Sequence, residues 1–324
     1  MESELSGAIP RRAPAQPLGP GPLVLLAAAL LISACGLVYE LVAGALASYL
    51  IGDTLTRFST VIGAYLFAMG IGAWLARYLR GDPLEALVHP ALAALERPRR
   101  VLVLGGGDGL ALREVLRYPS IEAVTLVDID AQVTALFRDN PRFAELNGGA
   151  LADRRVSIVN ADAWRWLEAR HADGSAAGLY DAVIMDLPDP SSYALGRIYS
   201  VPFFRLLARQ LAPQGLIATQ ATSPVIVREA FWCIVATLEA AGLRAAPYHA
   251  HVPSFGDWGF AIASREDYRA PARLPEGLRF LTPQVLKGLF VFSPDIEPVP
   301  VEPNRLDTQA LVSHYDRGWR RGRE

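Results

Sequence analysis

The sequence predicts an α/β fold, a doubly wound parallel sheet preceded by a transmembrane helical hairpin. Three observations carry that expectation. From residue 99 onward, short β-branched apolar runs alternate with longer amphipathic stretches, the spacing of strands joined by crossover helices. A glycine-rich turn, Gly105-Gly106-Gly107-Asp108-Gly109, follows the first of those runs. Two long apolar runs, 23–50 and 59–79, come before all of them.

The chain has 324 residues, 52% hydrophobic and 20% charged, where a soluble domain carries roughly 25% charge. Residues 1–22 are rich in Pro, Gly and Ala, include Arg11 and Arg12, and read as a disordered leader. Residues 23–50 are apolar apart from Ser33, Tyr39, Glu40, Ser48 and Tyr49. At 1.5 Å per residue that run exceeds what a hydrocarbon core of roughly 30 Å requires. A polar break around Gly52-Asp53-Thr54 separates it from the run 59–79, so residues 23–80 read as two spans. Arg11 and Arg12 precede the pair, Arg77 and Arg80 stand at its end, and Arg97, Arg99 and Arg100 follow it. The positive-inside bias then predicts a multi-pass cell-membrane protein, with lipid as a partner and everything after residue 80 in the cytoplasm. Ile32-Ser33-Ala34-Cys35 offers a lipoprotein processing site as the rival reading, but residues 36–50 stay apolar where a mature lipoprotein turns polar.

Residues 81–265 form the predicted globular domain, and 266–324 a C-terminal extension. Strands are expected at 101–104, 123–127, 156–159, 182–185 and 216–219. Helices are expected at 110–117, 131–138, 163–169, 201–211 and 227–241. In such sheets ligands bind outside the carboxyl ends of the strands. The glycine turn sits at the first end, but Leu110 takes the place of a third helix-packing glycine, so this is no dinucleotide fingerprint. Inside the turn, Asp108 would face the ligand's tail. The second strand ends at Asp128-Ile129-Asp130, where a carboxylate suits ribose hydroxyls. Asp162 follows the third strand, where it could accept from an adenine amino group. Asp186 and Asp189 follow the fourth, on a proline-stiffened turn. Each acid alone reads as an ordinary turn or helix cap. Together, at successive strand ends, they point to a nucleoside ligand carrying positive charge.

These residues, with Tyr199-Ser200, Phe203, Gln220, Val252-Pro253-Ser254-Phe255-Gly256 and Trp258-Gly259-Phe260, resemble the spermidine synthases, the polyamine aminopropyltransferases, over about residues 84–263. The apolar head, with Gly36-Leu37-Val38-Tyr39-Glu40-Leu41, is similar to the bacterial membrane-anchored branch of that family. The resemblance implies a Rossmann-like, methyltransferase-type sheet. It also implies transfer of an aminopropyl group from decarboxylated S-adenosylmethionine to putrescine or a related amine, giving spermidine and methylthioadenosine. No cofactor is implied, since the donor is a co-substrate. In this reading Gly105, Gly106, Gly107 and Gly109 form the donor loop and Asp108 pairs with the donor's ammonium. Asp128 holds the ribose, Asp162 the adenine and Asp189 the cationic acceptor, while Asp186 is the general base. Self-association as a homodimer is a further implication.

The chain departs from the family before its first strand. Residues 79–90 join the second apolar run almost directly to a lead-in helix carrying Glu85 and His89-Pro90, and Pro83 and Leu84 stand where a tyrosine and its neighbour are expected. Phe255 stands where soluble members have a tyrosine. An S-adenosylmethionine-dependent methyltransferase is the alternative, and a non-catalytic nucleoside-binding membrane protein a third. Asp108 disfavours a donor with an intact carboxylate, and Asp186-Leu187-Pro188-Asp189 lacks the Asn-Pro-Pro of amino-methylating enzymes. Thirty-one basic against 33 acidic residues exclude a general electrostatic case for nucleic acid. Cys35 and Cys233 indicate neither a disulfide framework nor a zinc site. His249 and His251 fall on one face of an expected strand, and no further ligands cluster with them, so no metal is expected.

Overall fold

A computed structural model describes residues 83–172, 179–252 and 256–321. The first helix, α1 (Pro83–Leu92), buries nearly its whole length. Strand β1 (Arg100–Gly105) follows, and its run of buried residues is what a strand covered on both faces requires. Then come α2 (Leu110–Val115), β2 (Ala123–Asp128), α3 (Ala131–Asp139), α4 (Pro141–Leu146), β3 (Val156–Asn160) and α5 (Ala163–Ala172). Asp130 begins α3 by accepting from the backbone N–H groups of Gln132 and Val133, which satisfies two of the donors left open at a helix start. The chain continues through β4 (Tyr180–Asp186), α6 (Tyr193–Gly196), α7 (Val201–Ala208), β5 (Leu211–Gln220) and α8 (Arg228–Ala240). It ends with β6 (Arg244–Val252), β7 (Gly256–Ser264), α9 (Pro283–Leu289) and α10 (Ala310–Arg321).

The seven strands form one sheet in the order β3-β2-β1-β4-β5-β7-β6. Strands β1 to β5 are parallel, at the five places the alternating pattern predicts. The expectation of a wholly parallel sheet is corrected at one side, because β7 runs antiparallel to both β5 and β6. The antiparallel β6–β7 pair needs only a short connection and no crossover helix, so the strand–helix rhythm ends at α8. The chain reverses direction across the sheet between β1 and β4, the switch point where open α/β sheets bind ligands.

The expected membrane placement is also corrected. Among the described residues no helix is long and apolar enough to cross a membrane. The runs 23–50 and 59–79, from which the helical hairpin and its orientation were read, lie outside the described residues.

The C-terminal extension packs onto the sheet unit through buried Leu281, Leu286, Leu289, Ile296, Leu311 and Val312. Two buried polar side chains tie it down. The Glu85 carboxylate of α1 accepts from the backbone N–H groups of Arg279, Phe280 and Leu281 at 2.7–2.9 Å. Asn304 donates to the carbonyls of Gly196 and Tyr199 at 2.8 and 3.1 Å, and its Oδ1 accepts from the N–H of Leu311. Replacing Asn304 by alanine orphans three buried backbone groups. The expected loss, about 2–4 kcal/mol, is checked by urea unfolding; a loss under about 1 kcal/mol would mean that water or neighbours satisfy those groups.

Candidate active site

The strand register sets the site. Gly105 at the end of β1 lies beside Asp186 at the end of β4, and Asp128 at the end of β2 lies beside Asn160 at the end of β3. The four carboxylates Asp108, Asp128, Asp162 and Asp186 line one cavity of about 560 Å³, walled on its apolar side by Ile129, Leu187, Pro188, Leu195 and Ile198. A second cavity, of about 280 Å³, is lined by Asp186, Asp189, Gln220 and Trp258, with Pro83 and Leu84 of α1. Asp186 borders both.

The glycines give these acids room beside the turn, and Gly105, Gly106 and Gly107 also line the larger cavity. The N–H of Gly107 is taken by Asp128 Oδ2 at 2.9 Å, and that of Gly109 closes the turn on the Gly106 carbonyl. A Cβ on Gly106 would stand 2.9 Å from Asp186 Oδ2, and one on Gly107 2.8 Å from the Asp128 carboxylate. Glycine therefore lets two acids close on the turn from either side. The backbone of Gly106 also has a positive φ of 64°, a conformation that side chains rarely adopt.

Most of the carboxylates are braced. Asp128 Oδ1 accepts from the Asp130 N–H at 2.7 Å. Asp108 Oδ1 accepts from the Leu110 N–H, and the Asp108 carbonyl accepts from Asn147 Nδ2. Asp162 accepts from the Arg165 N–H and pairs with Arg197, whose guanidinium lies over the Trp164 ring. Tyr199 is fully buried and donates to the carbonyls of Leu187 and Pro188, which holds the turn carrying Asp189.

Asp186 is different. Burial, and then the charges of Asp108 and Asp128, push its carboxyl up to about 7 from an ordinary 3.8. A carboxyl poised near neutrality can take up a proton in the working range. The same shift bears on stability. A group whose folded value is raised contributes stability that is complete below its unfolded value and is lost as pH rises through the folded one. For Asp186 that window runs from 3.8 to about 7. Asp186→Asn, which mimics the neutral acid, is expected to match the parent below pH 4 and to be increasingly more stable up to pH 7. The gain has a ceiling on the order of 4 kcal/mol at 1.36 kcal/mol per unit. Melting curves against pH check it, and parallel curves for the two proteins would refute it.

Asp189 lines the smaller cavity only. Its Oδ2 accepts from Thr222 Oγ1 at 3.2 Å and from the Tyr315 hydroxyl at 3.0 Å. Gln220 Oε1 accepts from Trp258 Nε1 at 3.1 Å.

All the acids predicted from strand ends thus fall on the two cavities. Sequence reading did not single out Arg197, Thr222 or Tyr315. Arg197 carries no local signal, and Tyr315 is 126 residues from its partner. Thr222 had one signal, its place just past a strand end. Trp164 packs against Phe203 in the core. His249 is engaged by Asp257 and the Val291 carbonyl. Pro253, Ser254 and Phe255 lie outside the described residues.

Residues 84–272 match the family model of the spermine/spermidine synthase domain. Over 237 residues the chain is 49% identical to polyamine aminopropyltransferase 2 of Ralstonia nicotianae, covering 72% of this chain and 45% of that protein. It is 47% identical over 238 residues to a polyamine aminopropyltransferase of Mycobacterium tuberculosis, covering 72% and 44%. The chain therefore spans under half the length of these curated relatives. Among solved structures, the spermidine synthase of Thermotoga maritima shares the fold at a TM-score of 0.54 and 20% identity, over 65% of this chain and 71% of that one. A spermidine synthase solved with the transition-state analogue AdoDATO shares it at 0.57 and 22%, over 65% and 72%.

Proposed function

This chain belongs to the spermine/spermidine synthase family, and on that premise we propose that it is a polyamine aminopropyltransferase. Its donor would be decarboxylated S-adenosylmethionine, and its acceptor putrescine or a related diamine. The observation that carries this reading is the place of Asp186, a near-neutral carboxyl on the shared border of two cavities.

The larger cavity suits the donor. Its carboxylates favour a ligand with a sulfonium and an ammonium and disfavour one with a carboxylate tail. In the proposed assignment Asp108 meets the ammonium, Asp128 the ribose hydroxyls, and Asp162 the adenine, with Arg197 fixing the Asp162 carboxylate. The smaller cavity suits the acceptor, whose remote ammonium would meet Asp189. Leu84 and Pro83 supply part of its wall, so α1 contributes to this pocket although the family's tyrosine is missing there.

Putrescine arrives protonated at both ends. For transfer, the reacting nitrogen gives a proton to the Asp186 carboxylate and its freed lone pair forms the N–C bond. The C–S bond breaks and its electron pair returns to sulfur, leaving neutral methylthioadenosine. Positioning and deprotonation are then most of the work, since the sulfonium leaves readily.

The test is methylthioadenosine release by purified protein given both substrates. Release that depends on the amine supports the reading. Release of S-adenosylhomocysteine from S-adenosylmethionine instead would replace it with methyl transfer.

A further inference from the structure

The C-terminal helix α10 reaches back to the acceptor side of the site. It lies so close to the segment before α8 that a Cβ on Gly318 would stand 2.6 Å from Val227 Cγ1. His314, Arg317 and Arg321 of α10 converge on Glu229 at 2.8–3.3 Å. This docking delivers the Tyr315 hydroxyl to Asp189 Oδ2 at 3.0 Å, beside Thr222 Oγ1 at 3.2 Å.

The two oxygens of Asp189 are treated unequally. Oδ2 has two hydroxyl donors, whereas Oδ1 is buried and has no hydrogen-bond partner among the described residues. A buried carboxylate oxygen left unpaired costs free energy unless a cation or donor arrives to meet it. An Asp side chain turns easily about its last torsion, so pinning one oxygen decides where the other is held.

We propose that Tyr315 is a positioning residue for the acceptor amine: with Thr222 it pins one oxygen of Asp189, keeping the other for the ammonium of a diamine. The C-terminal helix thereby sets amine affinity without touching the reacting atoms. This rests on the aminopropyl-transfer reading above.

Tyr315→Phe removes only the hydroxyl. Putrescine binding is measured by calorimetry in the presence of methylthioadenosine, alongside steady-state kinetics. A lost hydrogen bond to a charged group predicts about a tenfold weaker amine affinity and a matching rise in amine KM, with kcat and donor KM within about twofold. Calorimetric amine binding falls off at a higher pH on acidification than in the parent, because a donor that favoured ionised Asp189 is gone. The groups facing Asp189 in that titration are Asp186 from β4, Tyr199 from the turn before α7, Thr222 after β5, and Tyr315 itself. Glu229→Gln weakens the ion pairs that dock the helix but keeps the hydroxyl, and is expected to lower amine affinity in the same direction and by less than Tyr315→Phe does.

Unchanged amine affinity in Tyr315→Phe overturns the proposal, as does an equal loss in kcat and in both affinities, which would mark a role in folding alone. Should Tyr315→Phe fail to fold, Thr222→Ala removes the other hydroxyl under the same expectation, and unchanged amine affinity in it is equally fatal. Wild-type protein that binds putrescine without turnover refutes the catalytic reading while the calorimetric comparison still decides this one. Wild-type protein that binds no diamine overturns both.

Discussion

Asp186→Asn is expected to lower the methylthioadenosine release rate by about 10³-fold, within the 10²–10⁴-fold that a positioned general base contributes. Donor affinity should stay within a few-fold, because the amide keeps the size of the side chain and the other acids of the larger cavity are untouched. The near-neutral carboxyl also sets the pH response of the parent protein. Its kcat/KM should rise through the region of pH 7 as Asp186 of the free protein loses its proton, and that rise should vanish in the variant's residual activity. Single-turnover measurement with saturating donor separates the chemical step from binding. A kcat within tenfold of the parent would remove Asp186 from the chemistry and shift attention to Asp189 or to a water in the smaller cavity. Asp186→Asn should meanwhile be the more stable protein at pH 8, so loss of activity with gain of stability is the joint signature.

Gly105→Ala is expected to be the most damaging single-methyl change in the glycine turn. Its backbone φ of +76° is one that side chains rarely adopt, and the added Cβ would lie 2.1 Å from the Asp186 carbonyl oxygen. That oxygen is backbone, so it can yield only if β4 moves away from β1, and the two strands are in register up to this residue. Strain of a left-handed residue costs about 1–2 kcal/mol and overpacking adds about 1–3 kcal/mol. The sum is a large share of the stability of an ordinary domain. Urea unfolding should show a loss of about 2–5 kcal/mol, or no soluble protein at all. Gly149→Ala is the matched control. It shares a positive φ of 74° but has nothing within 4 Å of the added carbon, so it pays strain alone. Equal losses in the two variants would show that conformation, and not the approach of β4, makes glycine necessary at 105.

Much of this site was legible in sequence because it is built from strand ends. An apolar run of four or five residues, a turn and an amphipathic stretch are local signals, and each such unit carries an acid to the same edge of the sheet. Asp108, Asp128, Asp162, Asp186 and Asp189 could therefore be named before their neighbours were known. The helix expected at 201–211 shows where local reading stops. It ends at Ala208, and β5 begins at Leu211, because Leu211 pairs with Tyr180 on the neighbouring strand. Pro213 and Gly215 lie inside that strand, residues that on propensity alone argue against it. The antiparallel β7 was likewise hidden, since the direction of a strand depends on which neighbour it meets.

The sequence by itself determined the parallel strand–helix units, the glycine turn and the acids that follow each strand, because backbone periodicity and turn chemistry act between residues a few positions apart. Only the tertiary structure decided which acids share a wall. It placed Asp186 on the border of two cavities and raised its affinity for a proton by burying it near Asp108 and Asp128. It also brought Tyr315 across 126 residues of chain to Asp189. Those facts depend on desolvation and on packing between distant elements, which no window along the chain contains.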